Sequence, residues 1–277
     1  MYLTFEALED TTFTFTRNAL QYSLDNGATW TTLAAGTTSP TVTAGNKILW
    51  KQTGLTSDED YGIGRFSATG NFEASGNIMS LHYGDNFVGQ TDLTGKDYAF
   101  VRLFANNNYL VNTENLILPA TTLTESCYNC MFINCTSLTT APKLPSTTLA
   151  NNCYREMFAG CTSLITAPEL PATTLVFSCY DNMFQGCTSL TAAPELPATT
   201  LVSNCYREMF YNCTNLNYIK CLATDISASN CTSSWVKSVA ATGTFIKADN
   251  MDSWTEGNHG IPLNWISHTE SEYEVVK

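Results

Sequence analysis

Residues 153–175 read CYREMFAGCTSLITAPELPATTL, and this stretch decides the fold because its pattern returns along the chain at a constant spacing of 26 residues. Two series of cysteines mark the spacing: Cys127, Cys153, Cys179, Cys205 and Cys231, then Cys135, Cys161, Cys187 and Cys213. Tyrosine, methionine-phenylalanine and leucine positions recur with the same period. A fixed period of about 20–50 residues is typical of units that bury their apolar faces against each other. The spacing therefore predicts a repeat solenoid with 26-residue coils.

Each repeat divides into two segments of different predicted structure. The apolar positions of CYxxMF lie on one face of a short helix. The residue that turns the chain after this helix is an Asn or a Gly, the types that best tolerate positive φ: Asn134, Gly160, Gly186 and Asn212. The following Leu-x-x-Ala-Pro-x-Leu-Pro sequence predicts a short extended segment, because proline excludes a helix and restricts its predecessor to β or polyproline geometry. Successive coils are then expected to stack at the strand spacing of about 4.8 Å.

Stacking turns the cysteines into two ladders of small side chains. The residues of these structural ladders are Cys127, Cys135, Cys153, Cys161, Cys179, Cys187, Cys205 and Cys213. We interpret them as buried thiols, because the rungs of each series cannot all pair and a free cysteine packs as a small apolar residue. Cys130 forms a CxxC with Cys127, but its counterparts in later repeats are polar. This pattern predicts an exposed Cys130 and no redox or zinc site.

The ends of the repeat region depart from the pattern. Residues 99–110 align with residues 127–138 but carry Ala99 and Asn107 at the cysteine positions, which predicts an incomplete first coil whose Asn107 amide hydrogen-bonds at the end of the stack. After Leu216 the paired prolines are lost. Residues 223–277 are therefore predicted to cap the other end, with a helix through Trp235 and a closing strand over residues 244–247.

Residues 1–94 have a different character, with many threonines, glycines and aromatic residues and no helical period. Seven short strands separated by turns are predicted: Tyr2–Phe5, Phe13–Thr16, Leu20–Leu24, Trp30–Leu33, Lys47–Gln52, Arg65–Ala68 and Asn77–His82. Seven short strands are typical of a β-sandwich. The predicted division is therefore a β-sandwich-like domain over residues 1–94, a repeat solenoid over residues 95–222 and a C-terminal cap over residues 223–277.

The repeat unit CYxxMFxGCTSLTxAPxLPATTL resembles the BspA-like leucine-rich repeat found in surface proteins of gut and oral bacteria. The resemblance covers Gly95 to Leu222. It implies a curved, right-handed leucine-rich-repeat solenoid with strands on one face, displayed outside the cell and used for adhesion. The 26-residue coil and the Ala-Pro-x-Leu segment depart from the commonest pattern of that family. The expected fold class is α+β, with an N-terminal all-β sandwich followed by the right-handed solenoid.

A second resemblance is confined to one hairpin. Residues 23–30, SLDNGATW, match the Asp-box pattern SxDxGxTW, which resembles a sialidase blade motif. Sialidases repeat the motif and need an arginine cluster with a tyrosine nucleophile, whereas residues 1–94 hold one copy and only Arg17 and Arg65. We interpret the hairpin as structural, because a fold element does not imply chemistry. A carbohydrate-active enzyme is the alternative that this hairpin alone supports.

Charge and motif content argue against several functions. The net charge of −12 repels phosphate backbones and anionic bilayers at long range, and no run of about 18 apolar residues predicts a membrane-spanning helix. The three histidines are scattered, and the sequence has no HExxH, GxSxG, P-loop or GxGxxG motif. Asp58–Asp60 lacks the frame of a calcium loop and is expected to be solvated. We expect no catalytic residue, metal or cofactor, no nucleic-acid partner and no membrane insertion.

The predicted function is non-enzymatic binding by a cell-surface or secreted adhesion protein whose partner is a host protein or glycan. A structural or host-recognition component of a phage, similar to a tail fibre, is the alternative from another class. Ligand contacts should come from positions that vary between repeats, and repeat proteins usually bind through the strand face. The candidates on that face are Thr140, Thr166, Ala192 and Tyr218 in one row and Lys143, Glu169 and Glu195 in a second. A row that includes Arg155 and Arg207 marks the competing helix face.

Overall fold

The computed structural model describes residues 1–276, which form short strands joined by turns. The strands are β1 (Leu3–Ala7), β2 (Phe13–Phe15), β3 (Leu20–Ser23), β4 (Thr31–Leu33), β5 (Lys47–Lys51), β6 (Phe66–Ala68), β7 (Phe72–Asn77), β8 (Leu110–Asn112), β9 (Leu116–Ile117), β10 (Tyr218–Cys221), β11 (Thr244–Lys247) and β12 (Ile266–Thr269). The α-helices of this part of the chain are α1 (Ser80–Tyr83) and α2 (Glu270–Val276).

The largest sheet has seven strands in the order β4-β3-β5-β1-β7-β8, with β9 also paired to β7. Strands β8 and β9 run parallel to β7, and the other pairs are antiparallel. Alternate residues of β7 are buried, as expected for a strand with one face on the core. The Phe5 ring centre lies 4.8–5.8 Å from those of Phe13, Trp50, Phe66, Phe72 and Phe104. Because Phe104 belongs to the first repeat, the sheet and the repeats share one core.

The helix predicted at the start of each repeat is wrong. The chain instead forms consecutive turns with positive φ at every fourth residue, as at Asn152 (57°), Glu156 (55°) and Gly160 (74°). Successive N–H groups alternate between two partners: Met157 N donates within its turn to Tyr154 O (3.2 Å), and Phe158 N donates to Met183 O of the next repeat (2.9 Å). An α-helix needs each N–H for its own carbonyl four residues back and excludes regular left-handed residues. Hydrogen bonds to the next repeat therefore take the place of those that a helix would form within one repeat.

The strands that the resemblance implies on this face of the repeats do not form between β9 and β10. Successive repeats are joined on this side by isolated bridges, including Thr140 to Thr166 and Ala192 to Tyr218. The prolines of the Ala-Pro-x-Leu-Pro segments have no N–H to donate, so a continuous ladder cannot form there. A parallel sheet, β10-β11-β12, appears where the paired prolines end.

The predicted fold class is therefore wrong. The described residues form separate sheets of seven, three and two strands with little helix, and none of these sheets runs along the repeats as that of a solenoid would. The predicted sandwich is wrong as well, because the main sheet takes β8 and β9 from beyond residue 94 and the second sheet is only the β2-β6 pair. Six of the seven strands predicted in residues 1–94 lie near their expected positions; residues 77–82 instead contain the last residue of β7 and most of α1. The division into residues 1–94, 95–222 and 223–277 stays a prediction.

Equivalent side chains of residues 95–222, called the repeat stack below, nevertheless lie in register. The rings of Tyr128, Tyr154, Tyr180 and Tyr206 stack at 5.7–6.2 Å between centres. The phenylalanine rings from Phe104 to Phe210 stack in the same way at 5.4–5.8 Å. At one end, the buried Asn107 amide donates to Phe66 O (3.4 Å) and accepts from Tyr109 N (3.2 Å). The repeat stack therefore ends at a polar residue, Asn107, whose side chain hydrogen-bonds to backbone groups.

The other end of the stack is closed by tryptophan. Residues 231–238 form turns with positive φ at Ser234 and Ser238 rather than the predicted helix. The buried Trp235 ring stacks on Tyr206 (6.3 Å) and Trp254 (5.5 Å), and its Nε1 donates to Gly260 O (2.9 Å). The predicted strand over residues 244–247 is β11, which pairs on both edges.

Candidate binding surface

The two rows predicted on the strand side lie at the surface of the repeat stack. Thr140, Thr166, Ala192 and Tyr218 are exposed or half-buried, and bridges join them pairwise across neighbouring repeats. Lys143, Glu169 and Glu195 are all exposed. The bridges place Thr140 beside Thr166 and Ala192 beside Tyr218, so equivalent positions of the first row lie side by side in two pairs of neighbouring repeats.

Two neighbouring grooves, together called the proline grooves, run beside the second row. The first, of about 370 Å³, is lined by Ala141, Pro142, Lys143, Leu144, Pro145, Pro168, Glu169 and Pro171. The second, of about 380 Å³, is lined by Ala167, Glu169, Leu170, Pro171, Pro194, Glu195 and Pro197. Glu169 and Pro171 belong to both grooves. Because proline has a fixed φ and no N–H, these apolar walls are preorganised.

Some of the charged side chains beside the proline grooves form ion pairs within the protein and others do not. Lys143 and Glu169 make no ion pair or side-chain hydrogen bond within residues 1–276, whereas Glu195 lies 3.4 Å from Lys220 Nζ. Lys220 also contacts Glu270 at 2.7 Å, and this hydrogen bond raises the pKa of Lys220. The proline grooves therefore carry one unpaired cation and one unpaired carboxylate in adjacent repeats.

The arginines of the competing row, Arg155 and Arg207, form ion pairs within the protein. The Asp181 carboxylate is only 3% exposed and accepts hydrogen bonds from Arg207 Nε (3.0 Å) and Nη2 (2.9 Å) of the next repeat. Arg155 Nε lies 3.6 Å from Asp181, and Arg155 Nη2 contacts Glu156 at 2.9 Å. Burial raises the pKa of Asp181, although Arg207 and Arg155 oppose this shift. These arginines are engaged within the protein, which leaves the strand-side row as the better candidate for binding.

The ladder cysteines lie in the core and are free thiols. Burial raises the pKa of Cys127, Cys135 and Cys213 to about 12 and shifts the remaining ladder thiols in the same direction. The predicted exposure of Cys130 is wrong: its side chain is buried and its pKa is raised to about 12, mainly by burial. A nucleophilic thiol must ionise, so none of these cysteines is placed for thiolate chemistry.

The Asp-box hairpin satisfies its polar groups internally. Asp25 accepts hydrogen bonds from Ser23 Oγ (2.7 Å), Thr29 N (2.9 Å) and Thr29 Oγ1 (2.5 Å), which lower its pKa to about 2. The Trp30 ring packs at 4.9 Å from Tyr2 and lies under the Lys51 ammonium at 4.1 Å. This geometry explains the motif as a turn that anchors its tryptophan.

Sequence reasoning missed a cleft of about 370 Å³ that is lined by Thr16, Arg17, Asp58, Tyr61, Arg65 and Arg102. Asp58, expected in a solvated loop, lies 2.5 Å from Arg17 Nη1. No periodic signal points to the cleft, because Arg102 belongs to the first repeat and the other five residues precede it. In the described residues no cluster of three or more His, Cys, Asp or Glu side chains fits a metal ion. Neither helix in residues 1–276 has the length and apolar character that a membrane span requires.

Comparison with known proteins adds no relative. No protein-family model matches the chain, and no curated protein or solved structure is significantly similar to it.

Proposed function

We propose that the protein is a non-enzymatic binding protein, secreted or displayed on a bacterial cell surface, that adheres to a host protein through the strand-side rows and the proline grooves. The observation that carries the proposal is the pair of adjacent grooves whose edges hold the unpaired charges of Lys143 and Glu169. The resemblance of the repeat motif to BspA-like repeats supports the surface location and the adhesive role.

The chemistry of the grooves favours a protein segment over a glycan. Their walls are mainly proline, leucine and alanine, which suit apolar side chains, and their edges carry opposite charges that fix orientation. Sugars are commonly held by aromatic rings, but the only aromatic residue of the two rows, Tyr218, is half-buried and packs 6.1 Å from Tyr273. An extended segment that crosses two repeats would place apolar side chains in both grooves.

Arrays of purified host surface proteins and of glycans, probed with the intact chain, test the proposal. We expect a protein ligand whose affinity falls at least about tenfold in the double variant Glu169→Lys/Glu195→Lys, an effect of about 1.4 kcal/mol. Glu114→Lys/Glu125→Lys is the matched control, because it changes the net charge equally at exposed side chains outside the rows. Binding that is indifferent to the first pair, binding to glycans alone, or hydrolysis of any glycan would each reject the proposed function.

A further inference from the structure

The arginine cleft, lined by Thr16, Arg17, Asp58, Tyr61, Arg65 and Arg102, concentrates positive charge on an acidic protein. The chain has five arginines and a net charge of −12, yet three of the five meet in this cleft. Asp58 is the one acidic residue among the lining side chains. The lining therefore carries an excess of cationic groups that the overall composition does not predict.

The three arginines are not equally engaged. Arg17 forms the ion pair with Asp58, donates to Gly62 O (3.3 Å) and lies 5.4 Å from the centre of the Tyr61 ring. Arg65 and Arg102 are exposed residues, and their guanidinium groups make no hydrogen bond or ion pair within residues 1–276. Two guanidinium groups are thus available to a ligand, while the third is fixed.

The backbone around the cleft is tightly held. Gly62 has a φ of 55°, and a Cβ there would lie 2.7 Å from Val101 O, so only glycine lets the loop pack on the first repeat. Asn18 Nδ2 donates to Ile63 O (2.6 Å), which ties the segment that carries Arg17 to the same loop. Arg17 itself has a φ of 71°, a conformation that costs a non-glycine residue free energy and persists only where the surroundings impose it. The lining is therefore preorganised.

We propose that the arginine cleft binds a small anionic ligand, about one sugar residue in size, whose carboxylate, sulfate or phosphate group is held by Arg65 and Arg102. The planar guanidinium fork matches such oxyanions with two parallel hydrogen bonds. Tyr61 is 60% exposed and offers a ring on which the apolar face of the ligand packs. The cleft volume of about 370 Å³ suits a ligand of this size. Long polyanions are disfavoured because the rest of the protein repels them.

Calorimetric titration of the intact chain tests this proposal with glucuronate, glucose 6-sulfate, glucose 6-phosphate, inorganic sulfate, inorganic phosphate and neutral glucose. We expect at least one anionic sugar to bind and glucose not to bind. Inorganic anions that bind as tightly as the sugars would show that the oxyanion alone is recognised, which still supports the arginine site. No binding of any anion up to about 10 mM, or equal binding of glucose, overturns the proposal.

Two variants locate the site. Arg65→Ala/Arg102→Ala should weaken anion binding at least about tenfold, whereas Lys47→Ala/Lys237→Ala removes the same charge at exposed lysines outside both proposed sites and should not. Both arginines are exposed and unpaired, so melting temperature should confirm that the first variant folds. Tyr61→Leu should weaken the sugars but not the inorganic anions. Retained anion binding in the arginine variant, or an equal loss in the lysine control, would overturn the proposal.

Discussion

A side chain at Gly160 would collide with the amide oxygen Oδ1 of Asn134, the residue at the equivalent position of the preceding repeat. Asn134 Nδ2 in turn donates to Asn106 Oδ1 (3.0 Å), so two asparagines and a glycine follow one another along this line of turns. All three have positive φ. The choice between asparagine and glycine is therefore set by the neighbouring repeat as well as by the local turn.

Substitutions at the two turn glycines should differ in cost. Gly186 has a φ of 71°, and a Cβ added there would have its nearest neighbours at 3.8 Å, an ordinary contact distance. Gly186→Asn should therefore cost little, while Gly186→Val should lose about 1–3 kcal/mol through backbone strain. Gly160→Asn should cost more than Gly186→Asn, because it also displaces Asn134. Urea denaturation of the three variants measures the differences. Equal losses for Asn and Val at residue 186 would contradict the left-handed assignment.

Alkylation should distinguish buried from accessible thiols. Cys153, Cys161, Cys179 and Cys187 are fully buried, and Cys130 is 4% exposed. Because the thiolate is the reactive form and burial raises each pKa, we expect all five to resist iodoacetamide in the native protein and to react in denaturant. Mass spectrometry of peptides counts the labels. Rapid native labelling of the ladder residues, or their recovery as disulfides, would show that the ladders are not buried free thiols.

Removing the partner of Asp181 should destabilise the repeat stack. Arg207→Leu removes two of the hydrogen bonds to a carboxylate that is 3% exposed and leaves it with the Asn182 amide (2.7 Å) and the more distant Arg155 (3.6 Å), so we expect a loss of about 1–3 kcal/mol. Adding Asp181→Leu should recover part of this loss, since the buried carboxylate that lost the Arg207 guanidinium is then absent. Arg65→Leu, at an exposed and unpaired arginine, is the control and should change stability by less than about 0.5 kcal/mol. Denaturant melts that show no recovery in the double variant would argue against the pair.

Stability should depend on His82 in mildly acidic solution. Burial, aided by the charge of Lys96, lowers the pKa of His82 from 6.5 to about 4. Between these values the unfolded chain binds a proton that the folded chain does not, so stability present above pH 6.5 is lost as the pH falls towards 4. We expect a loss of about 1–3 kcal/mol across this window and a smaller loss in His82→Gln. Equal pH slopes in urea melts of the two proteins would assign the effect to other groups.

The linear sequence shows the features that depend on local or periodic chemistry. The period of 26 residues and the residue types that recur with it are visible without a structure, because in-register stacking requires the same side chain at the same place in each repeat. The Asp-box turn is visible because Ser23, Asp25 and Thr29 satisfy one another within a short segment. Six of the seven strands expected in residues 1–94 could likewise be placed by their composition and turns.

Only the tertiary structure decided which backbone groups and strands of distant segments pair with each other. CYxxMF has the apolar spacing of a helix, but half of its N–H groups find carbonyl partners in the next repeat, and periodicity along one chain does not report such partners. The fold class was missed for the same reason, since the prolines break the ladder inside the repeats while β8 and β9 extend a sheet that begins in residues 1–94. The arginine cleft joins Arg65 to Arg102 of the first repeat, because a Gly62 without a Cβ allows the two segments to touch. The spacing of these residues along the sequence does not indicate that the two segments are in contact.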